Sequence, residues 1–251
     1  MAMKTSPFTV ILPAAGSGNR FGGDKLLADL CGRTVLARTV ELFASRPDVA
    51  ALVIATSPDR FSAYRSAASP ERFGVAVHFT PGGVERWDTV YNALSSSAVS
   101  TELVAIHDAA RPLTPHTVID AAFSAALEHG SALPAVPEPA TLKAVDTDGV
   151  EKRVSRTVDR RRLYQAQTPQ CFRTQLLRDA FATLIARGQT AEITDDAQVA
   201  ELAGISVVVT TGSNLNVKIT HSEDMLLARA IYKMQHADAG IGCRGHGGPT
   251  S

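Results

Sequence analysis

The stretch "LPAAGSGNRFGGDK", residues 12–25, follows directly on a short apolar run and carries residue types that can hold a polyphosphate. Gly16 and Gly18 permit backbone conformations and close approach that side chains block. Free N–H groups at the carboxyl end of a strand, here with Pro13, Ala14, Ala15 and Ser17, can then face phosphate oxygens. Arg20 and Lys25 supply the positive charge. The segment lacks the Gly-Lys-Ser/Thr ending of a Walker A loop, and Gly16-Ser17-Gly18-Asn19-Arg20 fails the three-glycine dinucleotide fingerprint. A nucleoside triphosphate held through its phosphates is the better match. The plain structural alternative is a glycine-rich turn with solvent-facing charges.

Further along, "TPGGVERWDTV" (80–90) offers Gly82 and Gly83 for close backbone approach, with Asp88 and Thr89 in the early turns of the next helix. Loops after neighbouring strands of a parallel sheet converge on one crevice, so a base or ribose can lie here, opposite the first loop. Glu85 and Arg86 read equally well as helix-start and surface residues. In "AIHDAARP" (105–112), Asp108 ends an apolar run, the position from which a carboxylate holds Mg²⁺ against phosphates. The competing reading makes Asp108 a turn cap paired with Arg111, and His107 a satisfied core histidine. Lys218, in "NLNVKIT" (214–220), needs an anion if it points inward. Asp195 and Asp196, after Thr194, resemble an N-capped helix start.

The elements that must carry these residues alternate. Strand-like runs "FTVILPA", "AALVIAT", "VAVHFT", "ELVAIHD", "SALPAV" and "ISVVVTT" are separated by helical patterns at 33–48, 58–68, 85–97, 114–128, 173–188 and 194–204, and a last helix at 221–235 closes the chain. That order predicts an α/β fold, a Rossmann-like, mostly parallel sheet with helices on both faces. From 137 to 163 the pattern turns short, Pro-bounded and charged, with a hairpin signal at "DTDG" and Thr141, Lys143, Arg156, Asp159 and Arg160 along it. Too small for a core of its own, this segment is expected to project as a β-arm and to dock on a second copy in a homodimer. The expected organisation is one domain over 1–236, arm included, and a flexible tail over 237–251.

Composition narrows the partners. Lys plus Arg and Asp plus Glu both total 25 in 251 residues, so no broad basic field exists for nucleic acid. Cys31, Cys171 and Cys243 are widely spaced, with neither zinc nor disulfide-framework spacing, and suit a reducing compartment. The N-terminal apolar run, Phe8 to Leu12, is too short for a secretory or membrane-spanning segment, so a cytoplasmic location without membrane contact is expected.

Taken together, "LPAAGSGNRFGGDK", "GGVERWDTV", "HDAARP", "RTVDR", "TPQ", "TDDA" and "NVKIT" resemble the 2-C-methyl-D-erythritol 4-phosphate cytidylyltransferase family over about residues 8–235. The resemblance implies a homodimeric nucleotidyltransferase that joins CTP and the sugar phosphate with Mg²⁺. It implies that Arg20 and Lys25 neutralise the triphosphate, that Gly83, Asp88 and Thr89 line the cytidine pocket, and that Asp108 holds the metal. Arg111, Thr141, Arg160, Thr168 and Lys218 would gather around the substrate phosphate and the α-phosphate, Thr141 and Arg160 coming from the partner's arm. The family pattern carries Pro before the loop lysine, whereas here Asp24 precedes Lys25. A pentitol phosphate cytidylyltransferase and a non-catalytic nucleotide-binding regulator remain as alternatives.

Overall fold

The computed structural model of the chain describes residues 6–16, 21–146, 151–191 and 193–237. Strand β1 (Phe8–Pro13) shows why the sheet is covered on both sides. Val10 and Leu12 pack into one apolar cluster and Ile11 into another, and all three are fully buried. Successive side chains of a strand point to opposite faces, so an unbroken apolar run needs a layer on each. The first cluster lies beneath α1 (Val35–Ala44), α4 (His116–His129) and α7 (Asp224–Gln235), and the second beneath α3 (Arg86–Leu94), α5 (Thr174–Ala186) and α6 (Asp196–Leu202).

The remaining strands of the main sheet are β2 (Val49–Thr56), β3 (Ala76–Pro81), β4 (Leu103–Ile106), β5 (Ser131–Pro137), β8 (Tyr164–Ala166), β9 (Gln170–Arg173) and β10 (Val208–Thr211). Their order is β10-β5-β9-β4-β1-β2-β3, with β8 also paired to β5. The β1–β2, β2–β3, β1–β4 and β5–β10 pairs are parallel, whereas β9 runs antiparallel between β4 and β5. The chain leaves β1 toward β2 and β3 on one side and returns to β4 on the other. The carboxyl ends of β1 and β4 therefore diverge and open a crevice, the usual ligand position in such sheets.

The expected strands and helices are present, with two refinements. The pattern at 58–68 divides into a 3₁₀ turn, Pro58–Arg60, and α2 (Phe61–Ala68). The short strands β8 and β9, on either side of the "QTPQ" turn, were not anticipated in the sequence. Beyond the sheet, β6 (Lys143–Asp146) and β7 (Arg153–Thr157) pair antiparallel as a two-stranded arm, and β7 is exposed throughout. The "DTDG" signal beyond Asp146 and the tail from 238 lie outside the described residues. Cys171 is free and buried. Among the described residues, no helix is long and apolar enough to cross a membrane.

Candidate active site

Two loops meet at the crevice through a close glycine contact. Ala14 N–H donates to Ala55 O at 2.7 Å, and Gly82 N–H donates to Thr56 O at 2.9 Å, which ties the loops after β1 and β3 to the end of β2. A Cβ on Gly82 would stand 2.6 Å from the Ala15 Cβ, and one on Gly83 would overlap the Asp88 carboxylate. Only glycine permits this approach. The Asp88 and Thr89 side chains hold the turn itself: Asp88 Oδ2 accepts from Val84 N–H and Thr89 Oγ1 from Gly83 N–H, both at 3.0 Å.

The resulting cleft has a volume of about 640 Å³ and is lined by Pro13 to Gly16, Lys25, Gly83 to Arg86, Thr89, Asp108 to Ala110, Lys218 and Thr220. That volume suits a nucleotide-sized ligand. Most of the candidate residues from the β1, β3 and β4 loops thus face one space. Ser17, Gly18 and Arg20 lie outside the described residues. Thr141 and Arg160, on the arm, do not line this chain's own cleft, and Arg160 donates to Pro139 O within the arm.

Asp108 is the centre of charge. Its Oδ2 lies 3.0 Å from Lys218 Nζ and 3.1 Å from Arg111 Nε, while Arg86 Nη2 stands 3.8 Å from Oδ1. Burial alone would raise the carboxyl's pKa, but Lys218, Arg86 and Arg111 outweigh it and hold the group well below the usual carboxylate range. Two of these cations are themselves anchored: Arg111 Nη1 donates to Asn216 O at 2.7 Å, and Arg86 Nη2 pairs with the fully buried Asp196 at 2.7 Å. Burial raises the Asp196 carboxyl's pKa, an effect that Arg86 offsets only in part.

His107 is a satisfied core histidine. It is fully buried, with Nε2 3.0 Å from Arg111 O and Nδ1 3.0 Å from the Thr168 hydroxyl. A carbonyl only accepts, so the proton sits on Nε2, and Nδ1 accepts from Thr168. Burial pushes the imidazole's pKa down to about 4, which keeps it neutral. Thr168 Oγ1 in turn accepts the Asp108 N–H at 3.1 Å. Its hydroxyl is therefore engaged in fixing the backbone of Asp108.

Among the described residues, no group of three or more His, Cys, Asp or Glu side chains could hold a metal ion. What Asp108 offers is Oδ1, which makes no hydrogen bond among the described residues while Oδ2 carries both close cations. A carboxylate oxygen with no hydrogen bond of its own, and only Arg86 at 3.8 Å beside it, fits Mg²⁺, which is commonly held by one or two carboxylates, with substrate phosphates and water completing its shell.

The profile of the IspD family, 2-C-methyl-D-erythritol 4-phosphate cytidylyltransferase, matches residues 8–234. The chain belongs to this family. It is 39% identical over 236 residues to the 2-C-methyl-D-erythritol 4-phosphate cytidylyltransferase of Rhodopirellula baltica, covering 89% of this chain and 93% of that relative. The crystal structure of the enzyme of that name from Thermus thermophilus superposes with a TM-score of 0.73 at 33% identity, covering 90% of this chain and 99% of that one. The Francisella tularensis structure gives 0.75 at 28% identity, covering 90% and 100%.

Several residues of this family member's site escaped the sequence reading. Arg86, which read equally well as a surface residue, reaches Asp108 and is held by Asp196, 110 positions away. Arg86 Nη1 and Asp196 Oδ1 are buried without a hydrogen-bond partner among the described residues. Asn216, 1% exposed, donates to Gln167 Oε1 at 3.2 Å and Thr168 O at 2.9 Å and accepts from Thr114 at 2.8 Å. Gln170 accepts both the Asp196 and Ala197 N–H groups and donates to Asp195. Asp195 is the N-cap of α6, as its place after Thr194 suggested.

Proposed function

We propose that this cleft transfers CMP from CTP to 2-C-methyl-D-erythritol 4-phosphate, giving 4-diphosphocytidyl-2-C-methyl-D-erythritol and pyrophosphate. Family membership supports the reaction. The observation that carries the site assignment is the carboxylate of Asp108, set among Lys218, Arg111 and Arg86 in the cleft that Lys25 also lines.

A phosphate oxygen of the acceptor attacks the α-phosphorus, the new O–P bond forms, and the bond to the β-phosphate breaks to release pyrophosphate. Lys25 and Arg20 neutralise the triphosphate and the departing pyrophosphate. Lys218 and Arg111 hold the acceptor phosphate and the α-phosphate against their mutual repulsion, with Thr141 and Arg160 supplied by the arm of a second copy. Gly82, Gly83, Asp88 and Thr89 shape the turn that receives the cytidine. Thr168 acts through Asp108. Asp108 would hold Mg²⁺, which when bound supplies charge stabilisation at the phosphates.

Direct attack is favoured because the described part of the cleft offers no nucleophile paired with a base. Cys171 is buried, its thiol pKa raised by that burial, and His107 is locked between Arg111 O and Thr168. Inversion at a chiral α-phosphorothioate of CTP is the expected outcome, and net retention would overturn direct attack. Pyrophosphate release, measured with CTP, UTP and ATP against a panel of sugar phosphates, tests the substrates. Preference for ribitol 5-phosphate would move the assignment to a pentitol phosphate. CTP binding without pyrophosphate release would leave a nucleotide-binding regulator.

A further inference from the structure

Asp24, which stands where the family pattern has Pro, is tied to a pair of residues far along the chain. Tyr64 of α2 is fully buried, and its hydroxyl lies 3.0 Å and 2.8 Å from the two carboxylate oxygens of Asp24. A buried phenol needs a hydrogen-bond partner, and a carboxylate is a strong one. Burial, and then the Asp24 carboxylate, raise the Tyr64 pKa well above its ordinary value, so the hydroxyl stays a donor at neutral pH. Asp24 Oδ1 also accepts the Leu26 N–H at 3.1 Å, and Asp24 O accepts the Leu27 N–H at 3.1 Å, which fixes the turn that contains Lys25.

Arg60, one turn before Tyr64, holds the other end of the same segment. Its Nη1 donates to Gly16 O at 3.0 Å and lies 3.5 Å from the Tyr64 hydroxyl. Gly16 and Lys25 both line the cleft, as does Asp24. Two side chains of one helical segment thus grip the chain at 16 and at 24, on either side of the glycine-rich stretch. An Asp carboxylate beside a triphosphate would repel it. Hydrogen bonds from the Tyr64 hydroxyl and the Leu26 N–H engage its carboxylate and use the charge as an anchor.

We infer that Tyr64 and Arg60, acting through Asp24 and Gly16, are positioning residues that set the triphosphate half of the nucleotide site and the placement of Lys25. The inference rests on the nucleotide reading of the cleft given above.

The test uses Tyr64→Phe, which conserves volume, and Arg60→Gln, with both substrates varied in steady-state kinetics. Each variant is expected to raise KM for CTP about tenfold, the part of a lost hydrogen bond to a charged or carbonyl acceptor that reaches the ligand. KM for the sugar phosphate is expected to stay near wild type, and the melting temperature to fall by no more than about 5 °C, the cost of one lost hydrogen bond. Affinity for inorganic tripolyphosphate, measured by calorimetry, should fall by the same factor as for CTP. Adding Asp24→Asn to Tyr64→Phe should cause less than the sum of the single effects, because the carboxylate left without its donor is then gone. Unchanged KM for CTP in both variants would overturn the anchor. So would a joint change of kcat and both KM values that follows a drop in melting temperature, since that is what a purely structural role gives. If the wild type makes no product from CTP and the sugar phosphate, the reaction assignment fails by itself. The ratio of tripolyphosphate affinities between wild type and Tyr64→Phe still decides the anchor, and a wild type that binds no tripolyphosphate overturns it.

Discussion

Asn216→Ala tests whether the buried amide network beneath Asp108 supports the site. The side chain is 1% exposed and makes three hydrogen bonds, to Gln167, Thr168 O and Thr114. Each is worth about 1 kcal/mol net, and each partner left bare in the interior adds about 1 to 3 kcal/mol. Two of the partners keep a substitute. Gln167 Oε1 still accepts from Ser213 N–H at 3.1 Å, and the Thr114 hydroxyl still reaches Arg111 O at 3.3 Å. Thr168 O alone is stripped: counting only its lost bond, about 1 kcal/mol, and its bare carbonyl, about 1 to 3, the expected loss is about 3 kcal/mol, roughly a hundredfold in the folding equilibrium. For a chain of this size that corresponds to a melting temperature lowered by about 6 to 12 °C. The site should also suffer, because Thr168 fixes the Asp108 N–H and Arg111 donates to Asn216 O. A kcat reduced about tenfold under conditions where the variant is folded is expected from so small a misplacement. Urea unfolding followed by two probes, with kinetics well below the transition, measures both. A loss under about 1 kcal/mol with unchanged kcat would refute the reasoning and make the network incidental.

Three other outcomes follow from the same geometry. Asp108→Asn should keep the fold and lose about a hundredfold or more of turnover at ordinary Mg²⁺, since the change removes charge where phosphates gather; full activity would return Asp108 to a structural role. Arg160→Ala and Lys25→Ala proteins, each inactive, should regain about a quarter of wild-type activity when subunits are exchanged in equal amounts, because half the dimers then carry one complete site. A mixture that exchanges, by tag pull-down, yet stays inactive would show that Arg160 does not serve a second copy. Asp224, the first residue of α7, has its pKa lowered by the bonds it accepts from His221 N–H and Thr220 N–H, and these should contribute about 1 kcal/mol at neutral pH by holding the turn that leads into the helix. Its folded pKa is depressed, so this share is present above the ordinary carboxylate range and lost as pH falls through the lowered value. The stability gap between wild type and Asp224→Ala should narrow as pH falls below the ordinary carboxylate range, and a gap that stays constant through the acid range would contradict that role.

What could be read from the sequence divides along a physical line. β1, β2 and β4 were legible because strands buried on both faces are continuous apolar runs, and Asp108 was placed at the edge of the crevice because it follows directly on such a run, though its pairing with Arg111 is what the competing reading also expected. β9 was not legible: it is four residues long, pairs antiparallel with strands on both sides, and "QCFR" has no periodicity to announce it. Arg86 was ambiguous for another reason. At the start of a helix an arginine normally faces water, and only the fold brings Asp196 beneath it from 110 positions away. Asp88 and Thr89 were found by position, and their side chains hold the Gly83–Val84 turn, Thr89 also lining the cleft. The Gln167–Asn216 contact spans 49 positions between two irregular segments, where neither residue type nor spacing carries a signal.

The ring around Asp108 also ranks its cations. Arg86 is held by Asp196 and Arg111 by the carbonyl of Asn216, so each keeps a partner whatever happens to Asp108. Lys218 has Asp108 as its one ion-pair partner among the described residues, and its side chain is 41% exposed, against 27% for Arg86 and 12% for Arg111. A solvated ammonium on a flexible stem moves at low cost, whereas an arginine with two directional partners does not. On the proposed reading, an arriving phosphate would therefore draw Lys218 away from Oδ2 first. The two guanidiniums would stay in place and hold the carboxylate ionised and oriented. On this reading the loss of the Lys218 contact would leave Asp108 with more free acceptor capacity as phosphates enter, and the same lysine would pass from counter-ion of Asp108 to ligand of the phosphate.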